Sequence, residues 1–540
     1  MLPSEEIISS INGNDVSTLM TSTDLNEANL SKAIGKKSSE QPRLLMQADE
    51  ATLSLLIVEN NGNSNDKNQS NLTDSLTDDK YKQIESVKSE HTRSVLSLSY
   101  NQNIHPTSYL DTLINMLKGN IGCGILAMGD AFKNGGLLFA TIFTIVISLI
   151  SAYNQHTLLG CSKTVKKKLK LQHNPKFAET IELSFQYGPQ KFQSYSVFFR
   201  KSVNSFIVIS QLGLCCVYVI FISKSLQQVM SWYNTHVDVH LSILITMVPV
   251  LISSLIRNLK FIARLSALAN VCMFVGIFVI LYYCTIDLPP ITSRTPVAHW
   301  TTLPLFFGTS IFAFEGISLV LPLQQEMKSP KQFTSTFGVL NVGTVIVTTL
   351  LLITGFMGYL KFGEAVRGSL TLNLQEEFLL SKVVISSMML NILCSYSLQF
   401  YVSIEVLWPI IENKFGPFRS PLLWEIGLRV ILVLITFIGA DVIPHLTMFI
   451  SLIGAVACSF LALIFPPLCH IAVVNAGDRG DNKYGLFKWQ LVMDALTLAF
   501  GTIGFFTGTY ASVYEIYGAF RGVTIVTNSS DSTTQASFLS

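Results

Sequence analysis

Apolar residues fall in long blocks along this chain. Each block holds about 18–28 residues with almost no Asp, Glu, Lys or Arg. A bilayer core about 30 Å thick requires about 20 apolar residues per helical crossing, so each block is long enough to span it. We therefore predict an all-α polytopic membrane protein with about eleven transmembrane helices. The predicted spans are residues 109–131, 137–162, 203–231, 240–256, 261–286, 302–323, 335–360, 381–411, 424–440, 446–469 and 488–514.

The first part of the chain has a different composition. Residues 1–108 are rich in Ser, Asn, Asp and Thr, and they hold 15 acidic and 9 basic residues. Such a segment cannot bury enough apolar surface to offset the entropy cost of ordering it. The pattern predicts a disordered cytosolic N-terminal tail over residues 1–108, a transmembrane transporter domain over 109–514 and a short non-cytosolic C-terminal tail over 515–540.

The distribution of basic residues predicts the orientation. With a cytosolic N-terminus, the inside loops hold about 19 Lys and Arg, and the outside loops about 7. An odd number of spans then places the sequon at Asn528 on the far side of the membrane, and those at Asn29, Asn68 and Asn71 in the cytosol.

Two short patterns in the N-terminal tail resemble sorting signals. Residues 40–45 begin with Glu40 and end with Leu45, as in an acidic dileucine signal, and residues 81–84 begin with Tyr81 and end with Ile84, as in a tyrosine-based signal. We expect sorting adaptors as partners, and an endosomal or lysosomal membrane as the location. The plasma membrane is the alternative.

Glycines interrupt the first predicted span. Gly119, Gly122 and Gly124 fall within six residues, and each disfavours a continuous helix by up to about 1 kcal/mol relative to Ala. Unwound backbone at membrane depth is tolerated where it lines a cavity or is buried in protein. Free N–H groups at the start of the second half-helix would suit a carboxylate. Close helix packing through small residues is the alternative.

The sixth predicted span places an acid and a glycine, Glu315 and Gly316, at mid-membrane. A carboxylate at this depth is costly and usually marks a pathway, a relay or an ion pair. Glu315 could face a substrate ammonium, take up a proton or hydrogen-bond the broken helix.

The two interruptions occupy corresponding places in two five-helix halves, which is the pattern of an inverted-repeat transporter. They predict a substrate site between the halves, with the carboxylate at the first break and the ammonium at the second. The candidate binding residues are Gly119, Asn120, Ile121, Gly122, Cys123, Gly124, Thr309, Phe312, Phe314, Glu315 and Gly316.

Other chemistry is weakly represented. The sequence contains no Ser/His/Asp constellation, phosphate-binding loop, dinucleotide fingerprint or metal-ligand spacing, so we predict neither an enzyme nor a cofactor. The basic residues lie beside the membrane spans, which argues against nucleic acid as a partner. The nine cysteines fall in or at the ends of predicted helices and are interpreted as packing residues. The remaining ionisable residues, such as Asp130 and Asp494, are interpreted as snorkelling or ion-paired.

Several short motifs in their order resemble the proton-coupled amino acid transporter family, within the amino acid/auxin permease group. They are residues 117–122, 210–213, 306–309, 312–317, 321–323, 371–374 and 399–402. The resemblance extends over most of residues 109–514. It implies eleven helices, a LeuT-like five-plus-five inverted repeat with helices 1 and 6 broken, and small zwitterionic substrates such as glycine, alanine or proline. It also implies nutrient signalling from lysosomes.

Three positions depart from the family pattern. Asn115 stands where members typically have a histidine linked to proton coupling, and an amide does not titrate in the physiological range. Gly129 stands where members of the family usually have a proline, in the second half of the first span. Lys361 stands at one position of a disulfide that some members form, and the loop after the third span lacks its partner cysteine.

We therefore predict a secondary transporter of small neutral amino acids. Proton symport through Glu315 and proton-independent exchange or facilitation are both open, because Asn115 cannot replace histidine as a proton switch. The alternative function is a receptor-like sensor of amino acids with little flux, which the long acidic tail would suit.

Overall fold

The computed structural model describes residues 107–256, 259–374, 379–416, 418–443, 445–476 and 488–521. For residues 259–270 it describes the backbone alone. These residues all belong to one unit of the chain, Tyr100–Ser540. The predicted sorting signals at 40–45 and 81–84 and the sequons lie outside them. Within the described ranges, the regular secondary structure is helical, with turns and loops between the helices and a single parallel bridge between Thr107 and Met327.

Seventeen α-helices are formed by the described residues. In chain order they are α1 (Tyr109–Asn120), α2 (Cys123–Gly135), α3 (Leu137–Lys168), α4 (Phe177–Tyr187), α5 (Gln190–Gln193), α6 (Ser196–Ser231), α7 (Val239–Ser254), α8 (Leu259–Thr285), α9 (Leu303–Ala313), α10 (Ile317–Glu326), α11 (Pro330–Phe333), α12 (Val339–Phe362), α13 (Leu379–Phe415), α14 (Pro421–Val442), α15 (Leu446–Ile453), α16 (Phe465–Asn475) and α17 (Trp489–Phe520).

Every predicted span overlaps a helix or a broken pair of helices. Eight helical stretches of the described chain are long and apolar enough to cross a membrane, and two shorter apolar helices, Val239–Ser254 and Val271–Thr285, accompany them. The all-α polytopic class is thus confirmed, whereas the count of eleven crossings stays a prediction.

Helical structure extends past two of the predicted boundaries. The described residues begin at Thr107, whose amide donates to the Glu326 carbonyl at 2.9 Å, and Ser108 caps α1. The Ser108 hydroxyl accepts from the Asp111 amide, and the Asp111 carboxylate accepts from the Ser108 amide, which completes a capping box. The last two residues of the predicted tail therefore belong to the helical unit.

The second boundary concerns the basic segment after the second predicted span. The lysines at 163 and 166–168 lie on the last turns of α3, because the helix continues to Lys168. Cations at this end of the helix are favourable, since its C-terminus carries partial negative charge.

The interior of the bundle is formed by a subset of the helices. The most apolar stretch of 18 residues is 72% buried in α6 and 78% buried in Leu446–Asn475. The corresponding stretches of α14 and α17 are each 28% buried. α9 packs against α2, α15 and α17, while α6 packs against α13, α7 and α14. The broken helices therefore lie in the interior, and α14 and α17 turn much of their apolar surface outward.

The tenth predicted span is irregular, which the sequence pattern does not predict. Between α15 and α16 it contains two π-helical segments, Gly454–Cys458 and Phe460–Ile464. Such segments occur frequently at functional sites. Gly454 here meets the carbonyl oxygen of Gly308 on α9, so the two helices approach to backbone contact.

Candidate functional site

The first predicted span is broken where its glycines predict it. α1 ends at Asn120, and Ile121 and Gly122 are extended, with φ of −92° and −130°. No side chain caps the start of α2 at Cys123. The first N–H groups of a helix have no partner within it, and the helix dipole gives this end partial positive charge. The start of α2 therefore offers a site for an anionic group.

The sixth predicted span is also broken. α9 ends at Ala313, and the chain passes through Phe314 and Glu315 before α10 begins at Ile317. Glu315 donates its backbone N–H to the Phe312 carbonyl at 3.1 Å. The end of α9 presents carbonyl oxygens, and the start of α10 at Gly316 again lacks a side-chain cap.

The two breaks touch each other. The Asn120 side chain donates from Nδ2 to the Met116 carbonyl at 2.8 Å, and its Oδ1 lies against Gly316. A Cβ at Gly124 would lie 2.8 Å from the Cα of Ala313. These approaches require glycine, because any larger residue would meet backbone or a bound amide.

Glu315 reaches away from its own break. Its Oε1 accepts a short hydrogen bond from the hydroxyl of Ser210 on α6. Cys458, at the end of the first π-helical segment, also bonds Glu315 and lies 3.9 Å from the Ser210 hydroxyl. The acid therefore joins the break to α6 and to the tenth span, and hydrogen bonding to its own broken helix is not its main contact.

Two hydroxyls of α9 are buried beside the breaks without partners. Thr309 is 1% exposed and Ser310 is fully buried, and neither hydroxyl has a hydrogen-bond partner within the described ranges. Phe312 and Phe314 are also buried. Buried polar groups usually find a partner, so these two hydroxyls are available to a ligand or an ordered water.

Tyr218 of α6 adds a further polar group at the first break. Its hydroxyl is the nearest group to Gly122, 3.8 Å from where a Cβ would stand, and it hydrogen-bonds the side chain of Gln399 on α13. Sequence reasoning missed Tyr218, Ser210, Ser310 and Cys458. Only the helix-packing arrangement brings them to the breaks.

The remaining predicted residues surround this region. Asn115 is half-buried on α1, five residues before the helix ends. Gly119 lies against the Leu319 side chain of α10, and Ile121 and Cys123 are buried. All nine cysteines are free, and Lys361 donates to the backbone carbonyls of Ile286 and Asp287. The structure thus places every predicted binding residue at or beside the two breaks.

A cavity of about 610 Å³ lies apart from the breaks. Asp130 of α2 borders it, eight residues beyond Gly122, which is about 12 Å along a helix. Most of the lining residues carry polar or charged side chains. The lining consists of Asp130, Lys133, Lys224, Gln227, Gln228, Ser231, Val366, Arg367, Gly368, Leu372, His445, Leu446 and Thr447.

Known proteins resemble this chain over most of its helical part. The Drosophila melanogaster "Proton-coupled amino acid transporter-like protein pathetic" is 33% identical over 419 residues, covering 77% of this chain and 87% of that protein. The Caenorhabditis elegans "Probable amino acid transporter skat-1" is 27% identical over 424 residues, covering 76% and 90%. Among solved structures, the inward-facing conformation of Mhp1 aligns with 78% of this chain and 93% of its own, at 14% identity and a TM-score of 0.43.

A family match spans the same region. Residues 105–514 match the family described as transmembrane amino acid transporter protein, which is more than half of the chain. The prediction of a transporter rather than an enzyme is therefore confirmed, as is the membership of the amino acid/auxin permease group. The broken apolar helices and this match make the chain an integral membrane protein of the transmembrane amino acid transporter family.

Proposed function

We propose that this protein is a secondary transporter of small neutral amino acids, such as glycine, alanine and proline, and that the two breaks form its substrate site. The observation that carries the proposal is the contact between the breaks, in which Asn120 lies against Gly316 and Gly124 against Ala313. Uncapped helix starts and the carbonyl end of α9 meet there in the interior of the bundle.

The carboxylate would bind at the start of α2. The backbone N–H groups of Cys123 and Gly124 lie in its first turn, where the helix dipole favours an anion. The Tyr218 hydroxyl beside Gly122 could donate a further hydrogen bond.

The ammonium would face the end of α9. Carbonyl oxygens of a helix C-terminus carry partial negative charge, and the free hydroxyls of Thr309 and Ser310 add acceptors. Small side chains are favoured because the Ala313 backbone at Gly124 and the Asn120 amide at Gly316 leave little room beside the breaks.

Glu315 is the proposed proton-coupling group. Asn115 cannot titrate in the physiological range, whereas Glu315 is a carboxyl group held by Ser210 and Cys458 next to the substrate site. The Drosophila relative carries "proton-coupled" in its name, which supports coupling in this chain as well. Protonation of Glu315 would weaken the hydrogen bond that it accepts from Ser210 and so link proton uptake to the helix breaks.

The cytosolic N-terminus, the sorting signals at 40–45 and 81–84, and an endosomal or lysosomal location are proposals from the sequence alone. The excess of basic residues in the predicted inside loops supports the orientation.

The proposal is tested by uptake of labelled alanine and proline into proteoliposomes, with and without an imposed inward proton gradient. We expect saturable uptake that the gradient stimulates. Uptake that ignores the gradient would contradict coupling through Glu315 and indicate exchange or facilitation. Binding without uptake would contradict transport and support the sensor function.

A further inference from the structure

Two cations that line the cavity beside α2, Lys224 and Arg367, have no acidic partner among the described residues. Lys224 of α6 lies close enough to Arg367 for the two to repel each other, and Lys224 also repels His445. Of the described residues, none forms an ion pair with Lys224. One guanidinium N–H of Arg367 donates to the Leu372 carbonyl at 3.1 Å. Like charges held together in a partly buried place favour binding of an anion.

The opposite charge lies on another wall of the same cavity. Asp130 of α2 is 7% exposed, accepts from the Asn134 amide at 3.2 Å and has Lys133 as its nearest cation. Glu515 of α17 interacts electrostatically with both Asp130 and Lys133, and Glu364 does so with Asp130. Lys133 is thus balanced by neighbouring acids, and the cavity has one cationic side and one acidic side.

Gln228 supplies an independent sign of a missing ligand. Its side chain lines the cavity, is 92% buried because only 8% is exposed, and its Oε1 has no hydrogen-bond partner within the described ranges. A buried amide oxygen without a partner is unfavourable. An amide can accept from an ammonium or donate to a carboxylate, so a turn of this side chain toward the cavity would let it bond either end of a zwitterion.

We propose that this cavity is a second amino-acid binding site, in which Lys224 and Arg367 hold the carboxylate and Asp130 faces the ammonium. Its volume of about 610 Å³ lies in the range of small-molecule pockets. The site is separate from the breaks, about 12 Å along α2, and would hold a substrate waiting to reach them. The inference rests on the proposed function for the identity of the ligand.

The test measures equilibrium binding of labelled alanine to the purified full-length protein in lipid nanodiscs. We expect two alanine molecules per chain, and a double variant Lys224→Met, Arg367→Gln should lose one of them by weakening it at least about tenfold. Lys331→Met removes an exposed cation on α11 and should keep both binding events. Lys224→Arg keeps the positive charge at residue 224 and should also keep both. Unchanged stoichiometry in the double variant would overturn the proposal.

Two further variants separate this site from the breaks. Gly124→Ala should abolish the binding event at the breaks and keep the second one, which acetate should then displace because it carries the carboxylate alone. Loss of both events in Gly124→Ala would overturn a separate second site, whereas two unaltered events would contradict only the substrate site at the breaks.

Discussion

Single atoms limit what the breaks can tolerate. Gly124→Ala adds a methyl group 2.8 Å from the Cα of Ala313, and backbone cannot move aside as a flexible side chain can. We expect alanine uptake to fall at least about tenfold, because the breaks would be forced apart. Gly427→Ala on α14 is the matched control, since nothing lies within 4 Å of its added methyl group. Equal uptake by the two variants would contradict a substrate site at the breaks.

Glu315 provides the second prediction at this scale. Glu315→Gln keeps the size of the side chain and can still bond Ser210, but it cannot release a proton. Uptake driven by a proton gradient should fall about tenfold or more, while exchange of labelled for unlabelled alanine across the same vesicles should persist. Glu412→Gln, at an exposed position on α13, should leave both rates unchanged. Gradient-driven uptake that survives Glu315→Gln would place coupling elsewhere.

The residues of the breaks differ in how far the sequence could predict them. Gly119, Gly122, Gly124 and Gly316 stand out because glycine is unfavourable inside a helix unless its small size is required. Ser210 could not be found in this way. It lies 105 residues from Glu315, and serine is common in membrane helices, so the family-like motif at 210–213 does not reveal its bond to Glu315, which only the packing of α6 shows.

At the scale of elements, a buried acid joins three helices. Asp494 of α17 is fully buried and accepts from the hydroxyl of Tyr153 on α3 at 2.9 Å. The Nδ1 of His470 on α16 lies 2.6 Å from the other carboxylate oxygen. This pairing agrees with the structural interpretation of Asp494 from the sequence, although its partners could not be predicted.

This junction predicts a loss of stability. Asp494→Ala would remove the hydrogen bonds to Tyr153 and His470 and leave the His470 ring nitrogen without its acid, which should cost about 2 kcal/mol. Tyr153→Phe removes the bond to Asp494 but leaves the contact between Asp494 and His470, so it should cost about 0.5–1 kcal/mol. Thermal unfolding of the purified protein in detergent measures both, with Glu412→Ala as an exposed control. A midpoint for Asp494→Ala equal to that of the control would contradict the junction.

Helices and breaks were predictable for a simple reason. Long apolar blocks can satisfy their backbone hydrogen bonds in a membrane only as helices, and clustered glycines mark where a helix stops. The π-helical segments Gly454–Cys458 and Phe460–Ile464 were not predictable, because the residues there are ordinary for a buried helix. Gly454, in the first of them, packs tightly on Gly308.

At the scale of the whole molecule, the basic-residue distribution gives a prediction on topology. If the N-terminus is cytosolic and the number of spans is odd, only the sequon at Asn528 meets the glycosylation machinery. Treatment with a glycosidase that removes N-linked glycans should then shift the electrophoretic mobility of the protein, and Asn528→Gln should abolish this shift. Substituting Asn29, Asn68 and Asn71 together should leave it unchanged. A glycan on the N-terminal tail would reverse the predicted orientation.

The contact between Asn120 and Gly316 has a consequence for how such proteins can evolve. Each residue belongs to a different half of the chain, yet each shapes the other's surroundings. A bulkier neighbour for Asn120 cannot be accepted in one half unless the other half changes with it. Selectivity should therefore evolve by paired substitutions, and a hybrid made from two such proteins should work only when both interrupted helices come from the same parent.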